Sequence, residues 1–261
     1  MAFPMVRFAV LGSGSASNAY IFEDGENAFC VDNGFSFKEF SLRAEEAGFD
    51  LGKLRCVFLT HCHEDHIRGV GALSRKLKIP VAVHRDLDLA PYLKGKVYKR
   101  LNVEVGKEAP VGGISCIPFK TMHDAPHSVS YHFSLGGVRF TLITDTGIVT
   151  EEMFRYACIS DVIFLEANYN PFMLEQGPYP QSLKKRIKGR YGHLSNPDAI
   201  DFLNRVHRVQ PSKSIATYFC HLSDVNNSSA QLEADIASSL SWSGSYVICP
   251  KNSLVSGEFS P

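Results

Sequence analysis

Three features are missing from this 261-residue sequence: a long hydrophobic run, paired cysteines and an excess of charge of either sign. No stretch approaches the roughly 20 apolar residues of a membrane span, and the first apolar run is too short and too β-branched for a signal peptide. We therefore expect a cytoplasmic protein without membrane contact. Basic and acidic residues each number 27, so bulk charge does not attract the chain to nucleic acid. Any polyanion would have to be bound by a local basic surface.

The seven cysteines include no Cys-x-x-Cys pair, and several lie inside apolar runs such as FCVD and YVICP. We interpret them as reduced packing residues. No low-complexity tract or Pro/Ser-rich linker divides the chain, and 44% of the residues are hydrophobic. A chain of this size can bury a large core, so we predict one domain over residues 1–261.

Short β-like runs alternate with amphipathic segments, which predicts an α/β fold. Helices are predicted after Phe35, from about His66 to Leu77, after Asn196-Pro197 and from Ser228 to Leu240. The strand candidates are VRFAVL, AYIFED, NAFCVD, CVFLT, VAVH, ISCIPF, SVSYHFSL, VRFTLITD, DVIFLEA, SIATYFC and SYVIC.

Residues of metal-ligand or acid/base type follow or end six of these strands. They are Asp32, His61, His123, Asp145, Glu166 and His221. Strand ends on one edge of a sheet are neighbours in space, and ligand sites of α/β folds favour such edges. We therefore expect these residues to share one site, although Asp32 before Asn33-Gly34 could simply be a turn residue.

The densest cluster is THCHEDH, Thr60 to His66. On extended backbone its first two histidines project to one side, while the residues between and after them project away. The projecting pair is His61 and His63, and the bystanders are Cys62 and Glu64. Asp65 and His66 then fall at the start of the next helix, so one segment could serve two metal ions. The alternative is a helix-capping Asp65 among surface histidines.

The order Thr-His-x-His-x-Asp-His resembles the metallo-β-lactamase superfamily. The resemblance implies an αββα four-layer sandwich, in which two facing mixed β-sheets carry outer helices and a metal site lies at one edge. It also implies seven metal ligands, with Asp145 bridging and Asp65 also a candidate catalytic residue. They are His61, His63, Asp65, His66, His123, Asp145 and His221. Asp32 resembles the buried aspartate that supports such a site.

Two further residues resemble the phosphodiesterase branches of the superfamily. Glu166 in LEANYN and His193 in GRYGHLSN match the glutamate and histidine that those branches place beside the shared solvent. Asp145 stands where many lactam hydrolases have a cysteine, and an oxygen ligand that bridges two hard cations suits phosphodiester cleavage. The alternatives are a strand-end carboxylate for Glu166 and a residue before a helix cap for His193.

A narrower resemblance, to the YycJ/WalJ/VicX group of bacterial metallo-β-lactamase-fold proteins, rests on SGSASNA, GVGALSRK, HDA, LEANYN, GHLSN and HLSDVNN. It implies a DNA exonuclease that degrades double-stranded DNA 5′ to 3′, with a part in DNA repair. In the first of these loops Ser13, Ser15 and Asn18 are candidate substrate contacts, and Ser17 stands where we expect glycine. His127 and His132 have no assigned role.

A basic segment, QSLKKRIKGRYGH, ends at His193. Its Lys184, Lys185 and Lys188 are candidate phosphate contacts, supported by two arginines in the same run. Leu183 lies four residues before Ile187, so the alternative is the solvated face of an amphipathic helix. The interval between Glu166 and His193 is too short for the extra domain of RNA-maturation and end-joining nucleases.

The resulting hypothesis is a binuclear phosphodiesterase with DNA as its substrate. Two divalent ions would activate hydroxide, and His193, oriented by Glu166, would protonate the departing oxygen. Zinc is favoured because imidazole dominates the ligands, and the oxygen-rich second site would also accept manganese or iron. The alternatives are a small-molecule or cyclic-nucleotide phosphodiesterase, another metallo-hydrolase, or a non-enzymatic signalling partner.

Overall fold

The computed structural model describes residues 5–241, 244–251 and 253–260, which form two seven-stranded sheets with helices. The strands are β1 (Val6–Gly12), β2 (Ala19–Glu23), β3 (Ala28–Val31), β4 (Leu54–Phe58), β5 (Pro80–His84), β6 (Lys99–Val103), β7 (Ala109–Val111), β8 (Ile114–Lys120), β9 (Val129–Leu135), β10 (Val138–Ile143), β11 (Val162–Glu166), β12 (Ala216–Cys220), β13 (Tyr246–Ile248) and β14 (Val255–Phe259). The helices are α1 (Phe37–Glu46), α2 (Glu64–Ile67), α3 (Val70–Leu77), α4 (Glu151–Ile159), α5 (Pro171–Gln176), α6 (Gln181–Ile187), α7 (Asn196–Val209) and α8 (Ser229–Ser239).

Both sheets mix parallel and antiparallel pairs. The first has the strand order β14-β1-β2-β3-β4-β5-β6, antiparallel up to β3 and parallel beyond it. The second has the order β13-β12-β11-β10-β9-β8-β7, parallel from β10 to β13 and antiparallel from β7 to β9. None of the helices among the described residues is long and apolar enough to cross a bilayer.

The described residues fall into two compact units. The first unit comprises residues 5–120, 125–138 and 253–260, and the second comprises 121–124, 139–241 and 244–251. The predicted single domain over residues 1–261 stays a prediction.

Aromatic side chains form the centre of the first unit. The rings of Phe29 in β3 and Phe58 in β4 each lie 5.0 Å from the ring of Phe133 in β9, and all three are buried. Tyr131 in β9 donates its hydroxyl proton to the carbonyl oxygen of Leu59 at 2.8 Å. Such ring pairs bury large apolar areas and hold β3 and β4 against β9. The ends of β3 and β4, where the first candidate residues lie, are therefore rigidly placed.

Parallel strands organise the second unit. In β10, β11 and β12 the register pairs Ile143 with Leu165 and Glu166 with Cys220, so the carboxyl ends of the three strands lie side by side. Helix α7 buries an apolar face and contacts α4 and α8. It begins after the cap Ser195, whose hydroxyl accepts from the backbone N–H of Asp198, as the Asn196-Pro197 signal predicts.

One predicted helix is corrected. The segment from His66 to Leu77 is two helices, α2 and α3, because the chain breaks at Arg68 and Gly69. The N–H of Gly69 donates to the carbonyl oxygen of Asn33 at 2.8 Å, and a Cβ atom at Gly69 would overlap the carbonyl oxygen of Phe35. The close approach of residues 33–35 bends the chain here, and only glycine permits it.

Candidate metal centre

The segment 60–66 leaves the sheet and enters a helix. The chain continues extended from β4 to His63 (φ −67°, ψ 147°), and α2 then begins at Glu64. The His61 ring lies 4.8 Å from that of His63 and 4.2 Å from that of His66. With Asp65 at the first turn of α2, these histidines form a first set of candidate metal ligands, called the first ligand set below, all within the first unit.

The two residues expected to be bystanders lie away from this set. Cys62 packs in the apolar core of the first unit, and burial raises the pKa of its thiol to about 12. Glu64 is exposed. A thiol that stays protonated at neutral pH is a poor metal ligand.

Asp32 connects two residues of the first ligand set. Its Oδ1 accepts from the backbone N–H of Thr60 at 2.8 Å, and its Oδ2 accepts from the Thr60 hydroxyl at 2.6 Å. The same Oδ2 lies 2.7 Å from Nδ1 of His66, and the Thr60 hydroxyl lies 2.9 Å from Nδ1 of His61. A carboxylate only accepts, and the Thr60 proton is already given to Asp32, so both Nδ1 atoms donate. Each ring therefore keeps a lone pair on Nε2, the arrangement of metal-binding histidines.

Asn18 lies against the first ligand set. Its Nδ2 donates to Oδ2 of Asp65 at 3.0 Å and lies 3.0 Å from Nε2 of His66. Its amide oxygen accepts from the N–H of Gly14 at 2.9 Å, and the side chain is fully buried. The observed contacts position the predicted ligands, and the predicted contact of Asn18 with substrate stays a prediction.

The serines of the same loop differ in exposure. Ser13 is buried with its hydroxyl 3.4 Å from that of Tyr20, whereas Ser15 is exposed. Ser17, at the position where glycine was expected, is buried, and its hydroxyl accepts from Nη2 of Arg68 at 2.8 Å. Ser15 is thus the one of these three serines whose side chain is open to a substrate in this structure.

A second set of candidate ligands, called the second ligand set below, lies within the second unit. It consists of His123, Asp145 and His221. Oδ1 of Asp145 lies 3.7 Å from Nε2 of His123 and 3.6 Å from Nε2 of His221. Donor atoms around one zinc ion at 2.0–2.1 Å are separated by roughly 3.3 Å, so small shifts suffice for coordination. One carboxylate oxygen between two imidazoles fits the predicted bridging role.

Strand-end residues of both units adopt left-handed backbone conformations. The φ values are 57° for Asp32, 54° for Asp145 and 58° for His221. This conformation costs a non-glycine residue about 1 kcal/mol or more and persists where the surroundings hold it. The positions of these three side chains are therefore maintained at a cost in local backbone free energy.

Glu166 is fully buried and accepts hydrogen bonds through both oxygens. Oε1 accepts from Nδ1 of His193 at 2.8 Å and from Nδ1 of His221 at 2.9 Å. Oε2 accepts from the backbone N–H groups of Thr146 and Leu194 at 2.9 and 3.2 Å. Burial alone would raise the pKa of Glu166, but the neighbouring His193 and both imidazole hydrogen bonds lower it below its usual value. The carboxylate is thus ionised at neutral pH and orients both rings.

His193 is partly exposed, unlike the candidate ligand His123. Its side chain is 17% exposed, whereas that of His123 is fully covered. Nδ1 of His123 lies 3.0 Å from the carbonyl oxygen of Gly192, which only accepts, so this ring also presents Nε2 as a lone pair. The two sets of donor atoms, neutral imidazole nitrogens and carboxylate oxygens, therefore fit divalent metal ions such as zinc.

The motifs GHLSN and HLSDVNN contact each other. Nδ2 of Asn227 donates to Oδ1 of Asn196 at 2.7 Å, and Nδ2 of Asn196 donates to Oδ1 of Asn227 at 3.1 Å. Asn227 also donates to the carbonyl oxygen of Ala167 at 2.8 Å, next to Glu166. The amide pair thereby ties together the loops that carry His193 and His221.

The basic segment forms α6, and two of its lysines are engaged within the protein. Lys184 is buried, and its ammonium donates to the carbonyl oxygen of Glu175. Lys188 pairs with the Glu175 carboxylate at 3.1 Å, and Nη2 of Arg186 donates to Asp124 at 3.1 Å. Lys185 is exposed. The predicted phosphate contacts of these lysines stay predictions, and both Lys185 and Lys188 are exposed.

Known proteins resemble this chain in sequence and in structure. The family model of the metallo-beta-lactamase superfamily matches residues 12–188. The chain belongs to this superfamily. It is 33% identical over 227 residues to the exodeoxyribonuclease WalJ of Streptococcus pneumoniae, covering 85% of this chain and 83% of that protein. It is 32% identical over 225 residues to the exodeoxyribonuclease YycJ of Bacillus anthracis, covering 85% and 84%.

The metallo-beta-lactamase fold is also found in solved structures. The crystal structure of the metallo-beta-lactamase fold protein YhfI from Bacillus subtilis matches with a TM-score of 0.72 at 17% identity, over 97% of this chain and 100% of that chain. The predicted superfamily, its WalJ/YycJ group and the α/β fold with two mixed sheets are confirmed. The prediction of a metal-dependent hydrolase is confirmed at the level of the family.

Three supporting groups were not identified from the sequence. Thr60 relays the Asp32 contact to His61, the carbonyl oxygen of Gly192 orients His123, and Nδ2 of Asn168 donates to the carbonyl oxygen of His221 at 2.8 Å. All three residues lie inside quoted motifs, namely THCHEDH for Thr60, GRYGHLSN for Gly192 and LEANYN for Asn168, which was the available signal.

Proposed function

We propose that this chain is a phosphodiesterase acting on DNA, an exonuclease that degrades double-stranded DNA 5′ to 3′. The observation that carries the proposal is the Glu166–His193 pair, a buried ionised carboxylate holding a partly exposed imidazole at 2.8 Å. Relatives at 32–33% identity are named exodeoxyribonucleases, which supports DNA as the substrate. The proposal places the protein in the cytoplasm and includes a part in DNA repair.

The ligand order of the superfamily supports assigning both ligand sets to two divalent ions per chain. Zinc is favoured because imidazole nitrogens dominate, and manganese or iron would be accepted by the oxygen-rich second metal site, for which we propose Asp65, His66 and His221 with the bridging Asp145. When bound, such a pair of cations makes hydroxide available at neutral pH and neutralises charge on phosphoryl oxygens. Asp32 and Glu166 hold the imidazoles of His61, His66 and His221 in the tautomer that binding requires.

His193 is the proposed general acid. Glu166 accepts a hydrogen bond from the Nδ1–H group of His193. Nε2 is therefore the nitrogen that exchanges a proton with the substrate. The carboxylate also fixes the orientation of the ring, so that His193 as the general acid would donate a proton to the departing sugar oxygen. A poor leaving group needs that proton, and this requirement favours a phosphodiester of a sugar hydroxyl.

Phosphate contacts are proposed for six residues: Ser13, Ser15, Asn18, Lys184, Lys185 and Lys188. Ser15 and Lys185 are exposed and need no rearrangement to reach a ligand. Lys184 would first have to leave the carbonyl oxygen of Glu175. A net charge of zero means that a few such contacts must supply the attraction for DNA.

A substrate panel tests the proposal. Metal-replete protein is incubated with end-labelled duplex DNA, single-stranded DNA, RNA, a cyclic nucleotide and a chromogenic lactam. We expect loss of nucleotides from the 5′ ends of duplex DNA, weakened by added salt. The variant Asp145→Ala should be inactive, which controls for a contaminating nuclease. Turnover of the cyclic nucleotide or lactam without attack on DNA would overturn the proposal and favour a small-molecule hydrolase.

A further inference from the structure

Two histidines outside both ligand sets are stacked at the end of β5. The rings of His84 and His127 lie 4.8 Å apart with planes 12° from parallel. Asp86 lies two residues after His84. One ligand-type atom from each of the three side chains lies within 4.8 Å of the other two. All three residues belong to the first unit, and none of them is a ligand in the proposed hydrolytic centre.

The turn that carries His84 and Asp86 is held in place by Arg100. Its Nη2 donates to the carbonyl oxygens of His84 and Arg85 at 3.0 and 2.8 Å, and its Nη1 donates to that of Leu87 at 2.6 Å. The N–H of Leu87 also donates a hydrogen bond to the carbonyl oxygen of His84 at 3.0 Å. Few backbone degrees of freedom remain to be lost when a ligand binds here.

The loop that carries His127 is also ordered. His127 has φ 51°, a left-handed conformation that must be held by its surroundings. The Ser128 hydroxyl donates to the carbonyl oxygen of Ala125 at 2.7 Å, and the N–H of Val129 donates to that of Thr60 at 3.0 Å. This loop geometry keeps the imidazole over His84 although the side chain itself is exposed.

The charges around the cluster favour a neutral His84. Burial, followed by the neighbouring His127, lowers the pKa of His84, and Arg85 and Arg100 act in the same direction against Asp86. A neutral imidazole is the form that binds metal. The two guanidinium groups oppose a cation, although Arg85 is paired with Glu104 at 2.9 Å. We therefore expect micromolar rather than tighter affinity.

We propose that His84, Asp86 and His127 form a third metal site, separate from the hydrolytic centre, for a transition-metal ion of the zinc, nickel or cobalt type. Two imidazoles and one carboxylate select such ions over magnesium and calcium, which prefer oxygen ligands. Three protein ligands leave at least one coordination position for solvent. A bound ion would link the loop 125–128 to the turn 84–87.

The test counts ions in protein whose hydrolytic centre is already filled. The chain is loaded with zinc, freed of excess metal and dialysed against micromolar nickel, and bound nickel is measured by elemental analysis with zinc as the internal reference. We expect about one nickel ion per chain in the native protein. His84→Gln and His127→Gly should each lower the nickel affinity at least tenfold, with zinc retained.

The variants are chosen to separate ligation from folding. Glycine relieves the left-handed backbone of residue 127, so His127→Gly removes the ligand without adding strain. His207→Ala, in the last turn of α7, is the matched control and should bind nickel like the native chain. Equal nickel binding by the native chain and both cluster variants, or none in the native chain, would overturn the third site. Either result leaves the hydrolase proposal untouched.

Discussion

At the residue scale, Glu166 joins a proposed acid to a proposed ligand. One of its oxygens accepts from both His193 and His221, and the other is occupied by two backbone N–H groups. A buried carboxylate with all these contacts has little freedom to reorient. A change at Glu166 should therefore act through the two imidazoles that it holds.

We expect His193→Ala to retain both metal ions and to lose activity selectively. Removal of a general acid costs about a hundred- to ten-thousand-fold on DNA, where the leaving sugar oxygen needs a proton. A nitrophenyl phosphodiester leaves as a stable phenolate, so much of its hydrolysis should remain. The measurement compares kcat/KM on both substrates together with the metal content of each protein.

Glu166→Gln is the companion variant, and its DNA activity should fall less than that of His193→Ala because the imidazole is still present. Loss of a metal ion from His193→Ala, or an equal loss of activity on both substrates, would contradict the general-acid assignment. His193 would then be assigned as a metal ligand or a residue of the substrate pocket. Assignment as a ligand has a structural basis, because Asp145, Glu166, His193 and His221 each offer a donor atom within 4.8 Å of the others.

At the element scale, the break between α2 and α3 depends on Gly69. A side chain there would overlap a backbone carbonyl oxygen that cannot move aside easily. Overpacking of this kind costs about 1–3 kcal/mol. We expect Gly69→Ala to lower the thermal midpoint by roughly 2–4 °C for each kcal/mol lost, measured by calorimetry of the metal-loaded protein.

Gly71→Ala is the control two residues away. It lies inside α3, and its new methyl group would meet the end of the flexible Arg75 side chain at 3.1 Å and the Leu93 side chain at 3.5 Å, an ordinary van der Waals distance. Alanine is the better helix former, so this variant should keep or slightly raise the midpoint. A Gly69→Ala protein as stable as Gly71→Ala would show that the bend does not require glycine.

The central strands and the edge strand β13 were predicted from sequence, whereas the other three edge strands were not. The missed strands β6, β7 and β14 are all at sheet edges. Their sequences KRLNV, APV and VSGEF contain basic residues, proline or glycine. An edge strand is partly solvated and is often protected by such residues, so it lacks the apolar run that marks a central strand. Helices α4 and α5 were missed as well.

The candidate site was also predictable from the sequence only in part. Residue types at strand ends, together with the Thr60–His66 order, predicted one shared site, and the resemblance to the superfamily supplied the candidate ligands. The supporting contacts were not predictable, because they join distant parts of the chain: Nδ1 of His123 reaches the carbonyl oxygen of residue 192, 69 positions away. Left-handed backbone at Asp32, Asp145 and His221 was not predicted either, although aspartate and histidine adopt it more often than most other non-glycine residues.

At the scale of the whole molecule, the first and second ligand sets belong to different compact units. Bound metal should contribute to the stability of the folded chain, because a ligand that binds only the folded state stabilises it. We expect elemental analysis to find about two divalent ions per chain when the third site is left empty by dialysis. Chelation should lower the thermal midpoint.

Two ligand variants, Asp65→Ala in the first unit and His221→Ala in the second, test the assignment of two ions per chain. Each should bind fewer ions and should respond less to chelator than the native chain does. A stoichiometry of one that neither substitution changes would exclude the binuclear assignment. Control melts with Lys38→Ala, an exposed position on α1, should match the native protein in both conditions.

Burial of every cysteine has a practical use. All seven thiols are covered, and burial raises the pKa of both Cys62 and Cys116 to about 12. Maleimide dyes react with exposed thiolates, so the folded native chain should take up almost no label. A single cysteine placed at an exposed position such as Lys38 would then carry the only fluorophore. Site-specific single-molecule fluorescence is therefore accessible without first replacing any native cysteine.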